Sequence, residues 1–166
     1  MLNSGPKMKF SPQNFFILFG VLFLFGALGF WQLGKSAVAK AFIYPTLVCG
    51  TLLLIVGIGL LITNLSRMKN FESVYNTNSL RFIESEIIRA EKSIGEYNLV
   101  VFKIISALIV ILAASLIFIK FPNWKVISIT TMAMLIVILI IDTNASERIK
   151  QYKHVLTEFK AQFQQP

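Results

Sequence analysis

The sequence predicts an all-α fold: a polytopic membrane protein with four transmembrane helices and short cytoplasmic helical extensions of spans three and four. Three observations predict it. Of 166 residues, 55% are hydrophobic and only 14% are charged, against about 25% charged in soluble domains. The mean hydropathy is +0.70. The apolar residues are gathered into four continuous runs rather than alternating, which excludes a barrel of spanning strands. In lipid every backbone N–H and C=O must be bonded internally, so continuous apolar runs are helices.

The first run, Phe15 to Trp31, is seventeen residues without a charge. The second, Ala41 to Leu65, has twenty-five uncharged residues. The third, Leu99 to Ile119, is interrupted only by Lys103, and the fourth, Val126 to Ile141, lies between Lys125 and Asp142. A bilayer core takes about 17–25 helical residues, so runs one and four need flanking residues such as Gln32 and Trp124. The predicted order is a cytoplasmic N-terminal segment (1–13), helix 1 (14–33), an outer loop (34–41), helix 2 (42–65) and a cytoplasmic helical hairpin (66–98). Helix 3 (99–119), an outer turn (120–125), helix 4 (126–142) and a cytoplasmic C-terminal helix (143–166) follow. A cleaved signal peptide is the alternative for run one, with Ala37-Val38-Ala39 as the small-residue site. The length of the run and Lys35 speak against it. Met8 opens a second start, Met-Lys-Phe-Ser, and residues 1–7 are left out of the fold argument.

Charge sets the expected orientation. With both termini inside, twelve of the sixteen basic residues are cytoplasmic, and Lys35, Lys40, Lys120 and Lys125 are outside. The positive-inside rule favours that arrangement. Trp31, Trp124 and Tyr44 then fall at the outer boundary, where aromatic residues gather. Lys120-Phe121-Pro122-Asn123-Trp124-Lys125 reads as a tight outer turn. The net charge of +8 is accounted for by orientation and anionic lipid, with no nucleic acid as partner. The expected location is a bacterial inner (cytoplasmic) membrane.

Two cytoplasmic segments carry heptad-like seams. Arg67 to Tyr75 extends helix 2, and Asn76-Thr77-Asn78-Ser79 is a cluster of capping and turn residues where the chain reverses. The next helix places Ile83, Ile87, Ala90, Ile94 and Tyr97 at spacings of four and three. Gly95 weakens it just before the membrane. The C-terminal segment repeats the pattern with Ile149, Tyr152, Leu156, Phe159 and Phe163. Because a short turn joins spans three and four, the two extensions are expected to pack antiparallel. Tyr97 would lie near Ile149, and Ile83 near Phe163. Glu84, Glu86, Glu91 and Glu96 face a segment carrying Arg148, Lys150, Lys153 and Lys160. Helices lying flat on the leaflet, or a groove for another protein, are the alternatives.

Chemistry is sparse. One cysteine, Cys49, and one histidine, His154, exclude a disulfide framework and a Cys- or His-rich metal site. No phosphate loop, nucleophile elbow or zincin motif occurs. Catalytic, cofactor-binding and metal-binding residues are therefore not assigned, no cofactor is expected and the chain is not expected to be an enzyme. Lys103 and Asp142 sit at similar depth on neighbouring spans, and an ion pair between them is expected, with snorkelling of Lys103 as the alternative. Thr46, Thr51, Ser106, Ser115, Ser128, Thr130 and Thr131 read as packing hydroxyls. Gly50 with Gly57, Ala107 with Ala114, and Gly26 with Gly29 read as small-residue seams. Phe15, Phe19, Phe23 and Phe30 read as packing or lipid-facing aromatics.

Asp142-x-x-Ala145-x-x-Arg148-x-x-x-Tyr152-x-x-x-Leu156, directly after the last span, resembles a segment of small four-span bacterial inner-membrane proteins. The resemblance covers roughly the C-terminal half. It implies the topology and the membrane, and brings no activity. The function expected is a non-enzymatic interaction protein: an assembly factor, a regulator or a toxin-immunity protein. Its partners are the bilayer and either another protein or a second copy. Glu84, Glu91, Arg148 and Tyr152 are the candidate interaction residues. The alternative is an oligomeric channel or small transporter subunit.

Overall fold

The computed structural model describes residues 11–77 and 79–163, with side chains for 11–66 and 81–161. The expectations for residues 1–10, Asn78 and the Phe163 side chain lie outside the described residues. All regular structure among the described residues is helical: α1 (Pro12–Leu33), α2 (Ala37–Ala41), α3 (Ile43–Thr77), α4 (Ser79–Glu96), a π-helical segment (Tyr97–Ile105), α5 (Ser106–Phe118) and α6 (Pro122–Phe163). Four stretches are long and apolar enough to cross a membrane: Pro12–Leu33, Ala37–Ser66, Arg81–Phe118 and Pro122–Ala161.

Ser11 is extended and Pro12 occupies the first turn, which starts α1 where a missing N–H costs nothing. α1 and α3 form the closest helix pair. Lipid tails are as apolar as leucine, so helix pairs in a bilayer depend on close backbone approach. Gly50 and Gly57 of α3 provide it. A Cβ at Gly50 would lie 3.0 Å from the carbonyl oxygen of Gly20, and one at Gly57 would lie 2.9 Å from the backbone nitrogen of Ile17. Gly26 and Gly29 stand clear of such contacts. Four phenylalanines of α1 are packing residues, Phe15, Phe19 and Phe23 lying against a core of Phe16, Leu53 and Ile141, while Phe25 is exposed. Phe30 stacks on Phe42 with ring centroids 5.3 Å apart.

The stretch 34–41 contains the short helix α2, whose Ser36 side chain accepts a hydrogen bond from the N–H of Ala39 at 3.1 Å. α2 and the start of α3 meet the start of α6 around a 450 Å³ pocket lined by Val38, Phe42, Pro122 and Ile129, among others. The α1–α3 connection and the α5–α6 turn therefore share one end of the molecule. At that end Trp124 donates to Ser115 Oγ at 3.3 Å.

α6 runs unbroken for 42 residues and contacts α1, α3, α4 and α5. Cys49 and Thr130 face each other across α3 and α6, with Sγ 3.9 Å from the Thr130 carbonyl. α5 has no buried residue and packs on α6 but not on α1 or α3. It flanks the bundle rather than closing it.

α4 passes through Gly95 without a break and becomes π-helical at Tyr97. Tyr97, Val101 and Ile105 are four apart in this segment, with Val101 and Ile105 buried and Tyr97 half-buried. Bonding from i to i+5 puts more residues in each turn than in the α-helices on either side.

Candidate functional site

The polar parts of α4 and α6, beyond their apolar runs, pack side by side as an antiparallel two-helix stalk. Lys153 Nζ lies 2.8 Å from Glu91 Oε1, and Lys160 Nζ lies 2.8 Å from Glu84 Oε1. Both pairs are seven residues apart on their helices, so they share one edge of the stalk. The hydrogen bond and charge of Lys160 hold the Glu84 carboxyl below its usual range.

The other edge is built on Glu86, which is 8% exposed. Its carboxylate accepts from Arg89 Nε at 3.0 Å, is bridged by the second arm of the same guanidinium, and accepts from the Tyr152 hydroxyl at 3.1 Å. Burial, then the charge of Glu86, pushes the Tyr152 phenol up. The hydrogen bond from Arg89 to Glu86 raises the guanidinium further. A buried carboxylate is tolerable because its lone pairs are filled by charge-assisted donors. The seam is correspondingly rotated: Ile83, Glu86 and Ala90 are buried, whereas Ile87 and Ile94 are half-buried. On α6 the small residues Ala145 and Ser146 are both buried.

At the root of the stalk a 440 Å³ cleft opens between α1, α3, α4, the π segment and α6. Its walls include Pro12, Asn64, Arg89, Tyr97, Asp142 and Arg148. Asn64 donates to Gln13 Oε1 at 3.1 Å, joining α3 to α1 at its floor. A second cleft of 300 Å³ shares Ser93, Tyr97 and Asp142 and adds Glu96, Val100 and Val101. Asp142 thus borders both.

The four residues singled out for interaction, together with the expected ion pair, fall as follows. Glu84 and Glu91 bond to α6, and Tyr152 bonds to Glu86. Arg148 lines the larger cleft. Lys103 is exposed on the π segment, and no ion pair within 4.0 Å joins it to Asp142 among the described residues. Equal depth does not bring two side chains to the same side of their helices. Sequence reasoning missed the burial of Glu86 and the convergence of Arg89, Ser93 and Tyr97 on Asp142. Their i, i+3 and i, i+4 spacing (86, 89, 93, 97) was the available signal. No group of three or more His, Cys, Asp or Glu placed to hold a metal occurs among the described residues.

Among known proteins, no family model matches the chain, and neither a curated protein nor a solved structure matches it significantly. The fold defines the class: an all-helical protein with four helices able to span a membrane.

Proposed function

We propose that this is a non-enzymatic interaction protein of a bacterial inner membrane, with both termini cytoplasmic. It would serve as an assembly factor, a regulator or a toxin-immunity protein, and its stalk would meet the partner. The stalk is the observation that supports this reading. Anchoring four helices in lipid does not require a polar two-helix projection held in register by Lys153–Glu91, Lys160–Glu84 and Tyr152–Glu86. The projection also carries apolar side chains outside the apolar runs: Ile88 is 67% exposed and Val155 is 60% exposed. Burying them against a partner would remove their apolar surface from water.

Transport has less support. The Thr130 hydroxyl bonds the Val126 carbonyl at 2.9 Å, and the Ser115 hydroxyl bonds the Leu112 carbonyl at 2.7 Å. Both hydroxyls donate within their own helices, and Ser115 also accepts from Trp124, which joins α5 to α6.

The test is affinity purification from native membranes in mild detergent, with mass spectrometry and a size measurement. A stoichiometric partner is expected, lost in Ile88→Glu or Val155→Glu. The partner should be retained in the charge-swapped pair Glu84→Lys with Lys160→Glu, which rebuilds the stalk. A partner-free homo-oligomer would overturn the reading and direct attention to flux assays in liposomes.

A further inference from the structure

We propose that the cleft at the root of the stalk binds the headgroup of an aminophospholipid, one that carries a phosphate and a primary ammonium. Arg148 and Arg89 would take the phosphate, and Asp142 the ammonium.

Depth supports this. Pro12 is the first residue of α1, Asn64 is the last but one residue of the second apolar run, Tyr97 opens the π segment, and Asp142 directly follows the fourth run. The structure gathers these boundary residues of all four candidate spans around one cleft. A hollow bordered by the ends of every span lies at the level of lipid headgroups.

Charge points the same way. The two clefts that meet at Asp142 are lined by Arg89 and Arg148 and by Asp142 and Glu96; Arg89 is also bound to Glu86, and Lys92 lies 4.0 Å from Glu96. A lining that carries groups of both signs suits a zwitterion rather than an anion. Asp142 is half-buried, and no ion pair within 4.0 Å joins it to another described residue; Lys103, the basic residue at its depth, is exposed. A carboxylate at the membrane boundary without a cation is costly, and a primary ammonium supplies both the charge and N–H donors. Arg89 is fixed in place by Glu86 and by Tyr152 beside it, and a guanidinium carries five N–H donors in all.

Shape agrees. The larger cleft is within the range of about 300–1,000 Å³ that small-ligand sites occupy. The smaller one adds Val100 and Val101, which belong to the third apolar run and offer an acyl chain an apolar wall.

The experiment uses the full chain, purified in mild detergent, exchanged into nanodiscs and examined by native mass spectrometry. The probes are phosphatidylethanolamine, phosphatidylcholine and phosphatidylglycerol presented in equal amounts. The expected result is retention of phosphatidylethanolamine over the other two by about tenfold, the factor that one charge-assisted hydrogen bond contributes. Asp142→Asn should bring phosphatidylethanolamine down to the level of phosphatidylcholine. Arg148→Gln should lower all three, and Lys103→Gln, outside the cleft, should change nothing. Equal retention of the three lipids by the unaltered chain overturns the proposal without recourse to any variant. So does a preference that survives Asp142→Asn. Binding of soluble phosphoethanolamine as tight as that of the lipid would also overturn it, in favour of a free headgroup compound.

Discussion

Tyr152 donates its hydroxyl hydrogen to Glu86 at 3.1 Å, across 66 residues of sequence and between the two helices of the stalk. Glu86 is nearly buried and also bound by Arg89, so this contact belongs to a closed polar joint inside a helix pair. Replacing Tyr152 by Phe keeps the ring and removes the donor. The variant is expected to lose about 1–2 kcal/mol, because the buried carboxylate is left under-satisfied. Thermal unfolding in detergent, followed by circular dichroism, reads it. A variant as stable as the parent would show that the joint carries little.

The Lys153–Glu91 pair lies near the surface, with both side chains partly exposed. Its coupling, measured by a double-mutant cycle with Lys153→Met and Glu91→Gln, is expected at about 0.2–1 kcal/mol. It should shrink as salt is raised.

The pH response of the stalk has two limits. The Glu84 carboxyl is lowered from its ordinary 4.5 by Lys160. As pH falls, the unfolded chain takes up that proton first, so the contribution of this pair is complete above about 4.5 and is lost as pH drops through the folded value. The Tyr152 phenol is raised above its ordinary 10.0, chiefly by burial. Its contribution is complete below about pH 10 and is lost as pH climbs towards the folded value. Carbon-detected NMR of labelled glutamate carboxyls is expected to place Glu84 below the free value in the parent. In Lys160→Met it should return towards that value.

Two glycines of α3 give a paired test of helix packing. At Gly57 an added Cβ would meet Ile17, while at Gly59 it would meet nothing within 4 Å. Gly57→Ala is expected to cost about 1–3 kcal/mol by overpacking, and Gly59→Ala to be neutral or slightly stabilising. Denaturant titration of the two variants side by side separates the contact with α1 from helix propensity.

Lys103 and Asp142 are not paired in the structure. A cycle built from Lys103→Met and Asp142→Asn is therefore expected to show additive effects, with a coupling near zero. Strong coupling would place the ammonium on the carboxylate after all.

The antiparallel stalk was legible in the sequence because two kinds of signal agreed. Apolar residues recur every three or four positions on both segments, and the charges beside them have opposite sign. The ion pairs at Glu91–Lys153 and Glu84–Lys160 fall within two residues of the register drawn from Tyr97 and Ile149. Glu86 was not legible. Counting apolar positions assigns a charge to the solvent side, whereas Arg89 on the same helix and Tyr152 on the other allow this one to turn inward. The Lys103–Asp142 expectation failed for a related reason. Sequence gives depth along a helix, but the direction of a side chain depends on every turn before it, and Lys103 sits within nine residues wound as a π-helix. The cleft needed five segments to converge, and no local pattern announces that.

α6 is a single helix of 42 residues, roughly 60 Å long at the usual rise. Ile141, packed on Phe16 and Leu53, sits almost at its midpoint. The stalk tip and the turn before Pro122 are thus the two ends of one continuous helix. It is held at each level: by Glu84 and Glu91 along the stalk, by Phe16 near the middle, and by Ser115 close to Pro122. The geometry is that of a single mast stepped through the bundle, common to the stalk and to the opposite end of the molecule.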